Sequence, residues 1–240
     1  MRERLRSNGA IASDSTDTVN EQVDLHSPNF DPLARPYRWL EYLSMGPYLE
    51  RCRFHWLPKL KSAQRALVYG DGDGRFLVRL LAENPSLTVD AVDLSAAMLR
   101  QVDKRVRGIE AGTQRLQLHR ADARSFTPPR SDYDLVVAHF FLDCFNHQEI
   151  AAILQHLKPS LAVGATALIS DFAIPPSGAG SLVGRTIVWV LYRIFGLVTG
   201  LRTRRLPNYA ELLVAEGFVL MERKTWLGGL LVSELWRFGS

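Results

Sequence analysis

The sequence predicts a doubly wound α/β fold with a seven-stranded, mostly parallel sheet and an antiparallel last strand. The first observation is that short, continuous apolar runs alternate with segments of helical spacing, which is typical of parallel strands buried on both faces. The second is a loop with three glycines, Gly70–Gly74, directly after the first apolar run. The third is the pair Gly228-Gly229 between the last two strands, which predicts a hairpin and hence one antiparallel strand at the end of the sheet.

These patterns place the elements along the chain. Strands are predicted at residues 66–69, 88–92, 116–119, 134–138, 165–170, 218–225 and 230–238. Helices are predicted at residues 45–60 (interrupted by Pro58), 76–83, 96–107 and 208–216. A further helix has apolar Ile150, Ile153, Leu154 and Leu157 and ends at Lys158-Pro159. Ser95 is the expected N-cap of the helix that begins at residue 96.

Composition indicates a globular protein of one domain with an appendage. The chain has 240 residues, of which 47% are hydrophobic, and its formal net charge is +4. Its two cysteines, Cys52 and Cys144, are far apart, and no signal peptide is recognised, so we expect a cytoplasmic protein. The basic residues are spread out rather than concentrated in a stripe, which argues against a nucleic-acid partner.

Two flanking regions differ from this alternating core. Residues 1–27 are polar and predicted to be a disordered tail, and residues 28–62 are aromatic-rich and predicted to be an N-terminal helical cap. The main domain then covers 63–240, with an apolar helical insertion at about 174–207. Arg185 and Arg193 interrupt that insertion, so it falls short of a transmembrane span. A packed helix or lid and a peripheral membrane contact through 182–205 both stay open.

Polar residues follow the predicted strands where ligands bind in open α/β sheets, at the carboxyl ends. Asp93 follows the second strand, 19 residues after Gly74, a spacing at which a carboxylate accepts hydrogen bonds from ribose hydroxyls. Asp122 follows the third strand and is suited to an adenine amino group, unless it is a simple turn residue. Met98 either flanks the adenine or belongs to the core.

The stretch from about 66 to 171 resembles the class I S-adenosylmethionine-dependent methyltransferases. Five segments carry the resemblance: Leu67–Gly74, Val89–Leu99, Arg120–Ala123, Tyr133–His139 and Leu157–Ala165. The resemblance implies S-adenosylmethionine as cofactor, S-adenosylhomocysteine as product, and a Rossmann-like sheet with a reversed last strand. It implies cofactor contacts at Gly70, Gly72, Gly74, Asp93, Leu94, Met98, Asp122 and Ala123, and His139 is a further candidate contact.

One position departs from the family pattern. The family usually has an acidic residue where this chain has Val68, and that acid reaches the methionine amino group. We hypothesise that Asp71, inside the glycine loop, takes over this contact. The flanks resemble a narrower group, the ubiquinone/menaquinone-biosynthesis C-methyltransferases, whose opening resembles Phe30–Tyr37 and in which a tyrosine, here Tyr37, closes over the cofactor. The segment between the fifth strand and the last helix is shorter than in that group, which leaves an apolar acceptor rather than a specified quinone.

The predicted function is methyl transfer to a small apolar or aromatic acceptor, without a metal, by a monomer or homodimer. His139 and Asp143, near the end of the fourth strand, are the candidate general bases. His139 could instead only pack against or hydrogen-bond the cofactor. Alternatives are a non-catalytic binding subunit, an RNA methyltransferase, and a nicotinamide-dependent oxidoreductase. The last is disfavoured because Arg75 stands where its motif has a third glycine.

Overall fold

The computed structural model describes residues 20–22, 47–173 and 207–239. Its central sheet has eight strands, in the order β1-β4-β3-β2-β5-β6-β8-β7. Their bounds are β1 Asn20–Gln22, β2 Arg65–Tyr69, β3 Thr88–Asp93, β4 Leu116–Ala121, β5 Tyr133–His139, β6 Leu161–Phe172, β7 Phe218–Trp226 and β8 Leu231–Phe238. β8 runs antiparallel to both of its neighbours, and every other pairing is parallel. The predicted mixed α/β sheet with a reversed last strand is confirmed.

Helices cover both faces of this sheet. Their bounds are α1 Pro47–Phe54, α2 Arg75–Glu83, α3 Ala96–Val106, α4 His147–Leu157 and α5 Tyr209–Ala215. On one face, α2, α3 and a short helical turn at Leu57–Leu60 pack on the sheet in a single apolar cluster. On the other face, α4 and α5 form a second cluster. The apolar residues of each helix recur at helical spacing, which explains why each helix buries one stripe.

The structure corrects two expectations about the sheet. Asn20–Gln22 pairs in parallel with β4, so these three residues of the predicted disordered tail form an edge strand. The last strand does not lie at the end of the sheet, because β8 is inserted between β6 and β7. Burial gives the reason: Leu231–Trp236 is buried throughout, whereas most of β7 is exposed. The more apolar strand of the hairpin therefore takes the interior position, and the more polar one forms the edge.

Several expectations fall on residues that the structure does not describe. Tyr37, most of the predicted cap, the rest of the tail and the apolar insertion from 174 to 206 lie outside the described residues. Within the described part of the chain, none of the helices combines the length and the apolar composition that a membrane span requires.

The parallel strands bring their carboxyl ends to one edge of the sheet. Tyr69 pairs with Ala138, and His139 pairs with Ser170, so β2, β5 and β6 end side by side. Local capping fixes where the helices begin beyond this edge. Ser95 accepts a hydrogen bond from the Met98 N–H at 3.2 Å, as predicted, and Asn146 begins α4 with a capping box. The site described next lies along this edge.

Candidate functional site

The glycine loop after β2 has a backbone that only glycine adopts without strain. Gly70, Gly72 and Gly74 all have positive φ, at 57°, 63° and 80°. A Cβ on Gly70 would lie 2.4 Å from Cδ2 of Phe141, and one on Gly74 would lie 2.9 Å from Cγ2 of Val102. Gly74 therefore allows α2 to approach α3, and Gly70 allows an aromatic ring to lie directly on the loop.

The two acids inside the loop have different roles in the structure. Asp73 is buried between two guanidinium groups, with Arg75 Nε at 2.9 Å and Arg105 Nη2 at 2.7 Å. Asp71 Oδ2 accepts a hydrogen bond from the Leu77 N–H at 2.9 Å, in the first turn of α2. Asp73 therefore joins the loop to α3. Asp71 lies where the positive end of a helix favours a carboxylate, and its contact with the methionine amino group stays a prediction.

The predicted ribose and adenine contacts begin at the end of β3. Asp93 is the last residue of this strand and is half-buried, and its Oδ1 accepts a hydrogen bond from the Ser95 N–H at 2.8 Å. Leu94 beside it is half-buried, whereas Met98 is buried in the first turn of α3. Asp93 and Leu94 therefore lie at the same edge as the glycine loop.

Asp122, directly after β4, is held by a side chain that sequence reasoning missed. Arg124 Nε lies 2.9 Å and 3.0 Å from the two carboxylate oxygens of Asp122, and its Nη1 lies 3.0 Å from Glu149 Oε1. These carboxylates raise the pKa of Arg124, which keeps it charged. The sequence already indicated this contact, because Arg124 follows Asp122 by only two residues. Asp122 and the buried Ala123 lie at the predicted edge, but the Asp122 carboxylate already faces a cation there.

His139, the last residue of β5, is buried against an aromatic ring rather than poised at the surface. The centroids of its ring and the Phe76 ring are 4.4 Å apart, at 72°. Neither of its ring nitrogens has a hydrogen-bond partner among the described residues. Burial and the positive charge of Arg53 lower the pKa of the imidazole well below its usual value. The imidazole is therefore neutral at physiological pH and a weak base.

Asp143, the second candidate base, lies beside another buried carboxyl group. Its backbone N–H donates to Asp171 Oδ2 at 3.2 Å, and its Oδ1 lies 3.6 Å from the Cys144 Sγ. Burial raises the pKa of Asp143 to about 6, and burial together with the Asp143 charge raises the pKa of Asp171 well above its usual value. A carboxyl group with a pKa near 6 is mostly ionised at neutral pH and accepts a proton more readily than the His139 imidazole, whose pKa is well depressed.

Aromatic rings lie between the glycine loop and the turn that bears Asp143. Phe141 lies over Gly70, with its ring 5.6 Å from that of Tyr69 and 4.9 Å from that of Phe145. Phe140 has a φ of 52°, an uncommon conformation for a bulky residue, and its ring lies 5.2 Å from that of Phe172. The turn therefore directs two consecutive rings apart, one to the glycine loop and one toward β6.

The edge fits an adenosyl cofactor with an amino-acid tail. The glycine loop lets a cofactor come close to the backbone, and Asp93 offers carboxylate oxygens to its hydroxyl groups. Phe141 supplies an apolar surface next to the loop. Among the described residues, no group of three or more histidine, cysteine, aspartate or glutamate side chains is arranged to hold a metal ion.

Comparison with known proteins agrees with this geometry. Residues 67–167, somewhat less than half of the chain, match a family model described as a methyltransferase domain. No curated protein sequence gives a significant match.

Many solved structures share the fold. The mitomycin 7-O-methyltransferase MmcR is 17% identical, with a TM-score of 0.63 over 88% of this chain and 60% of its own. The pyocyanin biosynthetic protein PhzM is 15% identical, with a TM-score of 0.63 over 88% and 62%. The N-methyltransferase NodS from Bradyrhizobium japonicum WM9, solved with S-adenosyl-L-homocysteine, is 14% identical, with a TM-score of 0.57 over 80% and 88%. The chain therefore spans less than two thirds of the first two enzymes.

The chain has the Rossmann-like α/β fold of these methyltransferase structures, and residues 67–167 match a methyltransferase-domain model. S-adenosylmethionine is the cofactor that such a domain uses, and the loop and acids of this chain suit it. The finer resemblance of the flanks to quinone C-methyltransferases rests on the sequence alone, because Tyr37 lies outside the described residues.

Proposed function

We propose that the protein transfers a methyl group from S-adenosylmethionine to a small, apolar or aromatic acceptor. The observation that carries this proposal is the position of Phe141, whose ring lies on Gly70 of the glycine loop and borders the turn that bears Asp143. In this proposal the cofactor and the acceptor meet at the end of β5. When bound, the cofactor supplies a methyl group on a positively charged sulfur, which an acceptor atom displaces in line.

Holding the reactants in line is the main contribution of such a site. Fixed orientation of this kind removes roughly 7–11 kcal/mol from a barrier. The half-buried rings of Phe140, Phe141 and Phe172 lie at this edge and offer apolar surface that suits a planar acceptor. This apolar surface suits a small molecule better than a nucleic acid. The basic residues are spread along the sequence rather than concentrated in a stripe, which also argues against a nucleic-acid acceptor.

We assign the general base, where the acceptor must lose a proton, to Asp143 rather than His139. Asp143 has a raised pKa of about 6 and lies on the turn after β5, whereas the pKa of the buried His139 is depressed. Asp171 holds this turn through the Asp143 N–H. The proton of the acceptor would pass to the Asp143 carboxylate as the new bond to the methyl carbon forms.

Two measurements test the proposal. Calorimetry with S-adenosylhomocysteine should give saturable binding, and Asp93→Asn should weaken it roughly 10–100-fold, the effect of losing charged hydrogen bonds to ribose. Asp103→Asn removes an exposed acid on α3 and should leave binding unchanged. Methyl-labelled cofactor should then label small apolar molecules in a cell extract. Absence of cofactor binding would favour a non-catalytic binding subunit, and label found only in RNA would contradict a small acceptor.

A further inference from the structure

The edge strand β7 is long and has an open outer side. It runs from Phe218 to Trp226, and no strand within residues 20–22, 47–173 and 207–239 pairs with that side. A strand of this length presents about 30 Å of backbone N–H and C=O groups. Natural proteins keep such edges short or cover them, because an open row of these groups pairs readily with another strand. The length of β7 therefore indicates a surface that a further strand occupies.

An exposed apolar patch, the apolar corner, borders the beginning of β7. Five of the seven large hydrophobic side chains that are exposed in the described residues belong to it, namely Val163, Val214, Val219, Leu220 and Met221. Backbone contacts show that these residues adjoin, because the Gly217 N–H donates to the Val214 carbonyl at 3.1 Å and the Gly239 N–H donates to the Gly217 carbonyl at 3.2 Å. A Cβ on Gly239 would lie 3.8 Å from Cγ1 of Val163. Single apolar side chains are ordinary at a surface, but a contiguous group beside an open strand is typical of an interface.

Charged residues of both signs follow the apolar corner along the strand. The order is Val219-Leu220-Met221, then Glu222-Arg223-Lys224, then Trp226-Leu227 after one threonine. Arg223 is bonded within the chain to the buried Glu234, which compensates its charge. Leu227 is 41% exposed and has a φ of 52°, so an apolar side chain occupies a turn position that usually favours glycine or asparagine. The strand thus has apolar residues at both ends and an acid and a base about its centre.

This order is self-complementary when two copies of β7 run antiparallel. With the two-fold axis at Arg223, Glu222 of each copy lies opposite Lys224 of the other, and opposite charges in this position stabilise paired strands. The apolar beginning of one strand then meets Trp226 and Leu227 of the other. The β-bulge between Leu220 and Glu222 leaves residues 222–226 in regular register with β8, so the charged centre keeps the alternation that such pairing requires.

We propose that two copies of the chain associate through β7, in an antiparallel pairing that joins their sheets into one. The backbone groups of both edges then find partners, two pairs of Glu222 and Lys224 form by symmetry, and part of each apolar corner is covered. A different protein, or another segment of this chain, would not require an acid and a base placed symmetrically about one residue. Association of this kind does not depend on methyl transfer.

Sedimentation equilibrium of the full chain over a wide range of concentration measures the association, and we expect a reversible monomer–dimer equilibrium. Lys224→Glu places acids opposite each other twice in the dimer and leaves the contact between Lys59 and Glu222 intact. It should weaken dimerisation roughly tenfold or more. Lys104→Glu, the same change at an exposed position of α3, should leave the dimer unchanged.

Mixing two variants tests the register of the pairing. Glu222→Lys alone should also weaken the dimer, because bases then lie opposite each other. In an equal mixture with Lys224→Glu, every acid again lies opposite a base, so a mixed dimer should form with the affinity of the wild type. Thermal unfolding confirms that each single variant is folded. In the wild type, hydrogen exchange of the β7 amides should slow as the concentration rises.

Three results would overturn pairing through β7: a monomer at every concentration, a Lys224→Glu dimer as tight as the wild type, or folded single variants whose mixture stays monomeric. A monomer whose β7 amides are nevertheless protected from exchange would show that another segment of the chain covers the edge. Binding of S-adenosylhomocysteine is measured separately and decides only the methyltransferase proposal.

Discussion

The backbone N–H of Asp143 donates a hydrogen bond to Oδ2 of Asp171, and both carboxyl groups are buried, Asp171 near the end of β6 and Asp143 on the turn after the adjacent strand β5. Oδ1 of Asp171 accepts a second backbone hydrogen bond, from the Phe172 N–H at 2.8 Å. Asp171 thus fixes the turn after β5 from the neighbouring strand. The two negative charges oppose each other there, so at neutral pH the pair is a source of instability that a functional site tolerates.

We expect this pair to make the protein less stable as the pH rises. The pKa of Asp143 is about 6 in the folded state against an ordinary value of 3.8. Between these values the folded protein holds a proton that the unfolded chain has lost, so the free energy of unfolding falls as the pH rises from about 4 to above 6. Asp143→Asn should remove about 1–3 kcal/mol of this decline. Urea unfolding at pH 4.5 and 7.5 measures it.

The control for this experiment is Asp103→Asn, which changes an exposed acid paired with Arg107 on α3. It should leave the pH dependence of the wild type nearly unchanged. If Asp143→Asn shows the same decline with pH as the wild type, the raised pKa is wrong, and with it the assignment of Asp143 as the proton acceptor.

A second prediction concerns the ring that lies on the glycine loop. Gly70→Ala combines a left-handed backbone with a Cβ only 2.4 Å from Phe141 Cδ2, whereas Gly164→Ala has φ of +80° but no neighbour within 4 Å. Gly164→Ala should therefore lose about 1 kcal/mol of stability from backbone strain alone. Gly70→Ala should lose more and should also weaken cofactor binding. Thermal unfolding and calorimetry measure the two effects.

Replacing the Phe141 ring by a smaller side chain tests whether the additional loss of stability in Gly70→Ala comes from contact with Phe141. The double variant Gly70→Ala with Phe141→Leu should recover part of the stability lost in Gly70→Ala. If the double variant is no more stable than the sum of its two single changes, Phe141 does not limit the space at Gly70.

Much of this site was predictable because its parts follow strand ends. The sheet order places Gly70–Gly74 and Asp93 side by side, and the spacing of these residues along the chain already indicated it. The partners of the acids were not predictable, because Asp73–Arg105 joins the glycine loop to α3 and Asp143–Asp171 joins the turn after β5 to β6. Periodicity in sequence shows which residues share one element, but it does not show which elements become neighbours.

The same reasoning explains why the predicted place of the last strand was wrong and why the edge strand at Asn20–Gln22 was missed. The Gly228-Gly229 hairpin correctly predicted an antiparallel pair, but a hairpin alone does not show which of its strands joins the sheet. The buried run Leu231–Trp236 decides this question, and it could have been found in the sequence. The edge strand Asn20–Gln22 could not, because three polar residues carry no strand periodicity.

A third prediction separates the two acids of the loop. Asp71→Asn keeps an oxygen that can accept the Leu77 N–H, so stability should change little, but the loss of charge should weaken S-adenosylmethionine binding roughly tenfold. Asp73→Asn should do the reverse, lowering stability by about 1–3 kcal/mol because it weakens the contacts with Arg75 and Arg105, while affinity changes little. Calorimetry and thermal unfolding of both variants provide the test. Unchanged affinity in Asp71→Asn would end the hypothesis that Asp71 replaces the acid missing at Val68.

A fourth prediction concerns a polar network that supports the site without belonging to it. Asp90 in β3 is buried and accepts hydrogen bonds from the Tyr133 hydroxyl at 2.9 Å and Arg130 Nε at 3.1 Å, and its Oδ1 lies 2.7 Å from His119 Nε2. The network joins β3, β4 and β5, with Asp90 three residues before Asp93 in β3 and Tyr133 at the start of β5. Tyr133→Phe keeps the ring and deletes one donor to a charged group, which should lower the free energy of unfolding by about 1.5–3 kcal/mol.

Measuring cofactor affinity shows whether the Asp90 network only stabilises the fold or also takes part in cofactor binding. Because the Tyr133 hydroxyl faces Asp90 rather than the glycine loop, Tyr133→Phe should leave the affinity for S-adenosylhomocysteine within about twofold, while urea unfolding shows the full loss. Tyr48→Phe, on the partly exposed surface of α1, should change neither quantity. Tyr133→Phe could instead weaken cofactor binding as strongly as Asp93→Asn does. In that case the network positions Asp93 itself. The position of β3 at the cofactor site would then depend on Asp90 and not on its backbone pairing alone.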